Sequence, residues 1–197
     1  MSLLIAMFSF SFAMSISPGP VNMIIASSGA NYGISKTIPF VSGATIGFTL
    51  LLLFIGLGFS KVFDLYPHFL RYLAVVGSLL IIYMGYVIAR SKPELGTTEQ
   101  KRATFMQGFL LQWLNPKAWI ACTLGVSSFS APHSHQQFLT FSLIYFLVCY
   151  FSLICWAVLG NKLASVLNSS GKLKRLNQLT GALLIATPGV LLYTQFS

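Results

Sequence analysis

Acidic residues are nearly missing from this sequence: Asp and Glu total 3 among 197 residues. Charged residues of both signs reach only 8%, where a soluble domain carries about 25%. A surface so poor in charge excludes an ordinary soluble enzyme. Histidine is also scarce, 3 in all, and none lies in a long apolar run. A hydrolytic site at membrane depth, which needs a His or carboxylate beside a nucleophile or metal, is excluded with it. Cys122, Cys149 and Cys155 all sit inside apolar runs. Their spacing fits neither a disulfide framework nor a metal motif, and they read as small hydrophobes.

What is present is apolar. Hydrophobic residues make up 55% of the chain, which excludes disorder. Lys and Arg total 12, giving a net charge of +9. A nucleic-acid binder gathers such charge on one face of a soluble body. Here the basic residues fall in short gaps between long apolar runs, the pattern of an integral membrane protein.

A helix needs about 20 apolar residues to cross a bilayer. Six runs qualify, Leu3–Ser28, Ile38–Phe59, Phe69–Ala89, Phe105–Phe129, Phe138–Gly160 and Leu176–Phe196, and the gaps at 90–104 and 161–175 are polar. The first run lacks the basic start of a signal peptide and reads as a retained span. The sequence therefore predicts an all-α integral membrane protein of six transmembrane helices in a single membrane domain over 1–197. Gaps one, three and five hold nine basic residues: Lys36, Arg90, Lys92, Lys101, Arg102, Lys162, Lys172, Lys174 and Arg175. Gap two holds only Lys61 and Arg71. By the positive-inside rule both termini face away from the cytoplasm, and the sequon at Asn168 lies on the cytoplasmic side.

The two halves echo one another. Gly77 and Gly85 of run three correspond to Gly181 and Gly189 of run six, at an offset of 104. Pro18 of run one corresponds to Pro116 of run four, at an offset of 98. Three spans per half make the repeat inverted, with repeat 1 at about 1–98 and repeat 2 at about 99–197, and with the first and fourth helices broken.

Two constellations carry chemistry. In Ser17-Pro18-Gly19-Pro20, followed by Asn22, both prolines remove a backbone donor in mid-span. The carbonyls so freed need partners inside the protein or a water path. Ser11, Ser15, Pro18 and Asn22 share one helical face up to the break. In Asn115-Pro116-Lys117-Ala118, Lys117 is the one charge deep within a run, too far from either end to snorkel. A central Lys costs about 2.5–3.5 kcal/mol on insertion scales. No run contains an acid to pair with it, so its partners are freed carbonyls, Asn side chains, water or an anionic substrate. It can also cap a broken helix end, where the dipole favours a cation, and the two roles are compatible. Paired Pro-interrupted helices point to a midplane substrate site. The candidate substrate-binding residues are Ser15, Pro18, Gly19, Pro20, Asn22, Gln112, Asn115, Pro116 and Lys117, with Gln107 a further polar group in run four. Half-helix N-termini suit a carboxylate and C-terminal carbonyls an ammonium, so the site suits a small zwitterion. Gly43 and Gly47, with Gly77, Gly85, Gly181 and Gly189, read as helix-packing positions. His133 and His135 read as polar loop residues, and Trp113, Trp119 and Trp156 as packing or interface aromatics.

With Ser17-Pro18-Gly19-Pro20 in an N-terminal apolar span and Asn115-Pro116-Lys117-Ala118 in mid-chain, the sequence resembles the LysE/RhtB group of bacterial amino-acid and metabolite exporters, over essentially its whole length. The Gly43–Gly47 segment and the Gly-Leu-Leu pattern of runs three and six fit as well. The resemblance implies no enzyme but a secondary transporter of the bacterial inner membrane, proton-coupled and working by alternating access. It implies export of small neutral amino acids or derivatives, of the cysteine, O-acetylserine, homoserine or threonine type. The lack of an intramembrane carboxylate disfavours a cationic substrate and leaves no side chain there as proton carrier. No cofactor, metal or nucleic acid is required; the partners are the lipid bilayer and an amino acid, and a homodimer is compatible. A cation or heavy-metal transporter, or a non-transporting membrane subunit, stands as the alternative.

Overall fold

The computed structural model describes residues 2–59, 69–90, 103–130, 135–167 and 170–196. Among these residues there are helices and no strands. They are α1 (Ser2–Ile16), α2 (Pro20–Tyr32), α3 (Ile34–Phe54), α4 (Phe69–Arg90), α5 (Phe105–Trp113), α6 (Pro116–Phe129), α7 (His135–Leu167) and α8 (Ser170–Phe196). A π-helical turn, Ile55–Phe59, extends α3. Among the described residues, two single helical stretches are long and apolar enough to cross a membrane, Ile34–Leu57 and His135–Val166, each with a mean hydropathy of 2.2. α1 and α2 pass the same test together, bent by 63°. The chain is an all-helical, multi-pass membrane protein.

α7 shows why. Leu139, Leu143, Leu147 and Phe151 form an exposed stripe, while Phe138, Phe141, Tyr145 and Cys149 are buried. A helix that is apolar on both faces has no water-facing side. α7 also runs past the expected span: it starts at His135 and continues through Asn161 and Lys162. Lys172, Lys174 and Arg175 sit in the first turns of α8. Much of the gap expected at 161–175 is therefore helix, because polar residues end an apolar run without ending a helix. His135 likewise opens a helix and does not sit in a loop. His133, Lys61, Lys92, Lys101, Arg102 and Asn168, and the packing of Gly189, lie outside the described residues.

The helices cross closely at glycines. A Cβ on Gly43 would run into the Phe105 carbonyl, and one on Gly47 into that of Phe109, which sets α3 against α5. A Cβ on Gly85 would meet the Gly181 carbonyl and the reverse, at the α4–α8 crossing. Gly77 faces the Leu114 carbonyl, between α5 and α6. Gly29 and Gly160 rest on the Ala157 and Ala26 carbonyls, which brings α2 onto α7. Between α2 and α3 the chain turns at Gly33, whose φ of 80° falls where a side chain is strained.

A reciprocal amide pair ties α2 to α8. Asn31 Nδ2 donates to Asn177 Oδ1 at 2.9 Å, and Asn177 Nδ2 donates to Asn31 Oδ1 at 2.8 Å. Asn177 is fully buried. Losing Asn177 leaves Asn31 Oδ1 without its donor, at about 1–3 kcal/mol, while Asn31 Nδ2 keeps the Ser27 carbonyl; replacing both amides is closer to neutral. Asn177→Leu is expected to lower the thermal midpoint in detergent, and adding Asn31→Leu to restore part of it. A double variant less stable than both singles would contradict this.

Candidate functional site

The first break is built by proline arithmetic. In a continuous helix the residue 18 and 20 amides would bond the carbonyls of Met14 and Ile16. Pro18 and Pro20 have no such amides, and both carbonyls find substitutes. The Ser17 hydroxyl donates to the Met14 carbonyl at 3.1 Å. The Trp156 indole N–H, from α7, donates to the Ile16 carbonyl at 3.1 Å. Asn22 Nδ2 bridges the Ser15 and Ser17 carbonyls, each at 2.9 Å. Pro20 then opens α2 at its first position, where a missing N–H costs nothing, behind an extended Gly19.

The second break follows the same plan. The Trp119 indole donates to the Trp113 carbonyl at 2.7 Å. Asn115 caps α6, its Oδ1 accepting from the Lys117 backbone N–H at 3.1 Å, and Pro116 takes the first helical position. Lys117, one residue on, reaches across to the first break. Its Nζ donates to Ser17 Oγ at 2.8 Å, to the Ser17 carbonyl at 3.0 Å and to the Pro18 carbonyl at 3.4 Å. Three N–H donors meet three oxygens, all of them neutral. The acids Asp64, Glu94 and Glu99 lie outside the described residues, so no described group neutralises this charge.

Both breaks open onto one cavity of about 40 Å³. Ser15, Gly19, Pro20, Asn22, Gln112, Asn115 and Lys117 line it. Pro18 and Pro116 do not; they shape the breaks from outside the wall. The N-termini of α2 and α6 meet here, α2 without a side-chain cap. Both N-termini carry partial positive charge; that of α2 also presents free amides to an anion, whereas the Lys117 and Ala118 amides of α6 are already taken by Asn115. With Lys117 beside them, the cavity favours an anionic group.

The C-terminal carbonyls of the half-helices, the expected partners of an ammonium, already hold internal donors: those of Ser15, Ile16, Ser17, Pro18 and Trp113 accept from Asn22, Trp156, Lys117 and Trp119, because a bare carbonyl in an apolar setting is costly. Gln112 lines the same cavity and is 5% exposed, and its side-chain amide has no hydrogen-bond partner among the described residues. Gln107 lies elsewhere. It closes a capping box with Thr104 at the start of α5 and borders a second cavity of about 70 Å³ beside Ser27, Asn31 and Tyr83.

Several wall residues were not anticipated. Phe48 of α3 stacks on Tyr145 of α7 with ring centroids 4.4 Å apart, and both face the first cavity with Cys149. Tyr145 and Cys149 are one turn apart, so they share a face. An aromatic cluster of Phe10, Phe129 and Phe141 packs around Tyr145. The role of Trp156 at the first break was equally unforeseen.

A family model described as LysE type translocator matches residues 12–195. Among curated proteins, the chain is 27% identical over 187 residues to a cysteine/O-acetylserine efflux protein of Klebsiella pneumoniae, covering 93% of this chain and 94% of that one. It is 26% identical over 188 residues to the protein of the same description from Escherichia coli K12, with the same coverage. No solved structure matches the chain significantly.

Proposed function

The chain belongs to the LysE type translocator family, and from that premise we propose that it exports small neutral amino acids or their derivatives across the bacterial inner membrane. The observation that carries this reading is the meeting of two half-helix N-termini and Lys117 around one cavity. The cavity suits an α-carboxylate. The amide oxygens of Gln112 and Asn22 then serve the α-ammonium. The efflux relatives, described by the substrates cysteine and O-acetylserine, support a substrate of that size and charge.

The chain works as six spans in two inverted repeats, about 1–98 and 99–197, with both termini on the periplasmic side. At about 40 Å³ the cavity holds about three waters, taking 10–15 Å³ for each. It must widen to admit an amino acid, and rocking of one repeat against the other widens it alternately toward each face. The proton gradient drives the cycle.

The test is uptake of labelled amino acids into inside-out vesicles, with and without an imposed proton gradient. Gradient-dependent uptake of a small neutral amino acid is expected, with lysine and arginine excluded. A panel in which no amino acid is taken up would overturn the proposal.

A further inference from the structure

Lys117, Asn115, Asn22, Gln112 and the two helix N-termini recognise groups that every amino acid carries. They cannot tell one amino acid from another. Discrimination has to come from the rest of the wall, where α1, α3 and α7 converge.

That corner is neutral and built of hydroxyls and a thiol. Ser15 lies beside both Tyr145 and Cys149, and Thr45 of α3 beside Cys149. Cys122 lies near Cys149. Ser15 is 7% exposed and lines the cavity, and its hydroxyl has only a loose approach to Tyr145 and Cys149, as that of Thr45 has to Cys149, with no close hydrogen bond for either. Buried polar groups are nearly always paired, and an exception asks for a reason. The neighbouring turn sharpens the question. Ser11, also on α1, satisfies itself by donating to the Met7 carbonyl at 2.7 Å. The same back-bond to residue i−4 is open in principle to any helical Ser, and Ser15 does not make it. A hydroxyl that forgoes its back-bond and sits loosely beside a phenol and a thiol at the edge of a cavity is free to turn to a group that enters the cavity.

We propose that Ser15, Tyr145 and Cys149 form the subsite that reads the substrate's side chain, selecting a hydroxyl or thiol on the β-carbon over a methyl group or a charge. The subsite supplies donors and acceptors without net charge, so a polar uncharged group gains a partner there. An ammonium or guanidinium side chain would find no acid among the described residues. The Phe48 ring stacked on Tyr145 limits the length of what fits. This inference rests on the reading of the cavity as an amino-acid site.

The experiment compares serine, and cysteine kept reduced, with 2-aminobutyrate, which has a methyl group where they carry the hydroxyl or thiol. Initial uptake into inside-out vesicles is measured for the wild-type chain, Ser15→Ala and Tyr145→Phe. Wild type is expected to prefer serine and cysteine over 2-aminobutyrate. Each variant is expected to lower that preference about three- to tenfold, the size of one neutral hydrogen bond. A general lesion lowers all three uptakes together and leaves the ratio where it was. Ratios unchanged in both variants, or a wild type without preference, would overturn the subsite while leaving the exporter standing. A wild type that takes up no amino acid would overturn the exporter and the subsite with it.

Discussion

Replacing Lys117 with Met is expected to abolish most transport while leaving the protein in the membrane. Two effects on stability oppose one another. Without the ammonium, Ser17 Oγ and the Pro18 carbonyl lose a donor, but Ser17 Oγ keeps its bond to the Met14 carbonyl and the Pro18 contact is exposed, so the loss is at most about 1–3 kcal/mol. The Ser17 carbonyl keeps Asn22. Against this, a charge inside an apolar run no longer has to be accommodated, which returns at most about 2.5–3.5 kcal/mol. The terms are of similar size, so the amount of folded protein should change little. Transport has no such compensation. Removing one side of a desolvated charge contact costs about 2–5 kcal/mol, or about thirtyfold to several thousandfold in rate. The check is uptake per molecule in vesicles, with protein level and thermal midpoint measured on the same preparation. If Lys117 only clamps the first break, the result inverts: the midpoint falls and uptake per folded molecule stays at the wild-type value.

The second large effect is expected at Gly160. A Cβ there would overlap the Ala26 carbonyl, and Gly29 faces Ala157 in the same way. Backbone, not a flexible side chain, is what stands in the way. α2 has little room to retreat, since Asn22 ties it to α1 and the Asn31–Asn177 pair ties it to α8. Overpacking in a core costs about 1–3 kcal/mol, and Gly160→Val should reach or exceed the upper end. The protein level should fall severalfold, and the thermal midpoint in detergent should drop. Leu159→Ala, at a position 45% exposed, is the control, expected close to wild type. Equal midpoints for wild type and Gly160→Val would show that α2 and α7 do not cross as closely as described.

Much of this was legible in the chain. An apolar run announces a membrane helix because the bilayer offers nothing to a polar backbone except its own hydrogen bonds. A Pro-Gly-Pro announces a break because two donors are missing, wherever the chain folds. The break at 17–19 and the one at 114–115 stand where those residues place them. Lys117 was visible as an anomaly for the same reason, as a charge that no run could accommodate. The extent of α7 was harder to read. It is 33 residues long and apolar around its circumference, so neither its polar end nor its inward face was marked by periodicity.

What closes the breaks was hidden. Trp156 meets the Ile16 carbonyl across 140 residues of chain, and Lys117 meets Ser17 across 100. Nothing local in Trp156 distinguishes it from a lipid-facing aromatic. Tyr145 and Cys149 likewise look like ordinary members of an apolar helix until α1 brings Ser15 against them. The sequence alone determined the class of the protein, the places where its helices fail and the charge that must be accommodated, because these follow from composition and backbone chemistry within a few residues. Tertiary structure alone decided which donors satisfy the freed carbonyls, which glycines carry the crossings and which side chains share the cavity, because each of these depends on how distant helices pack.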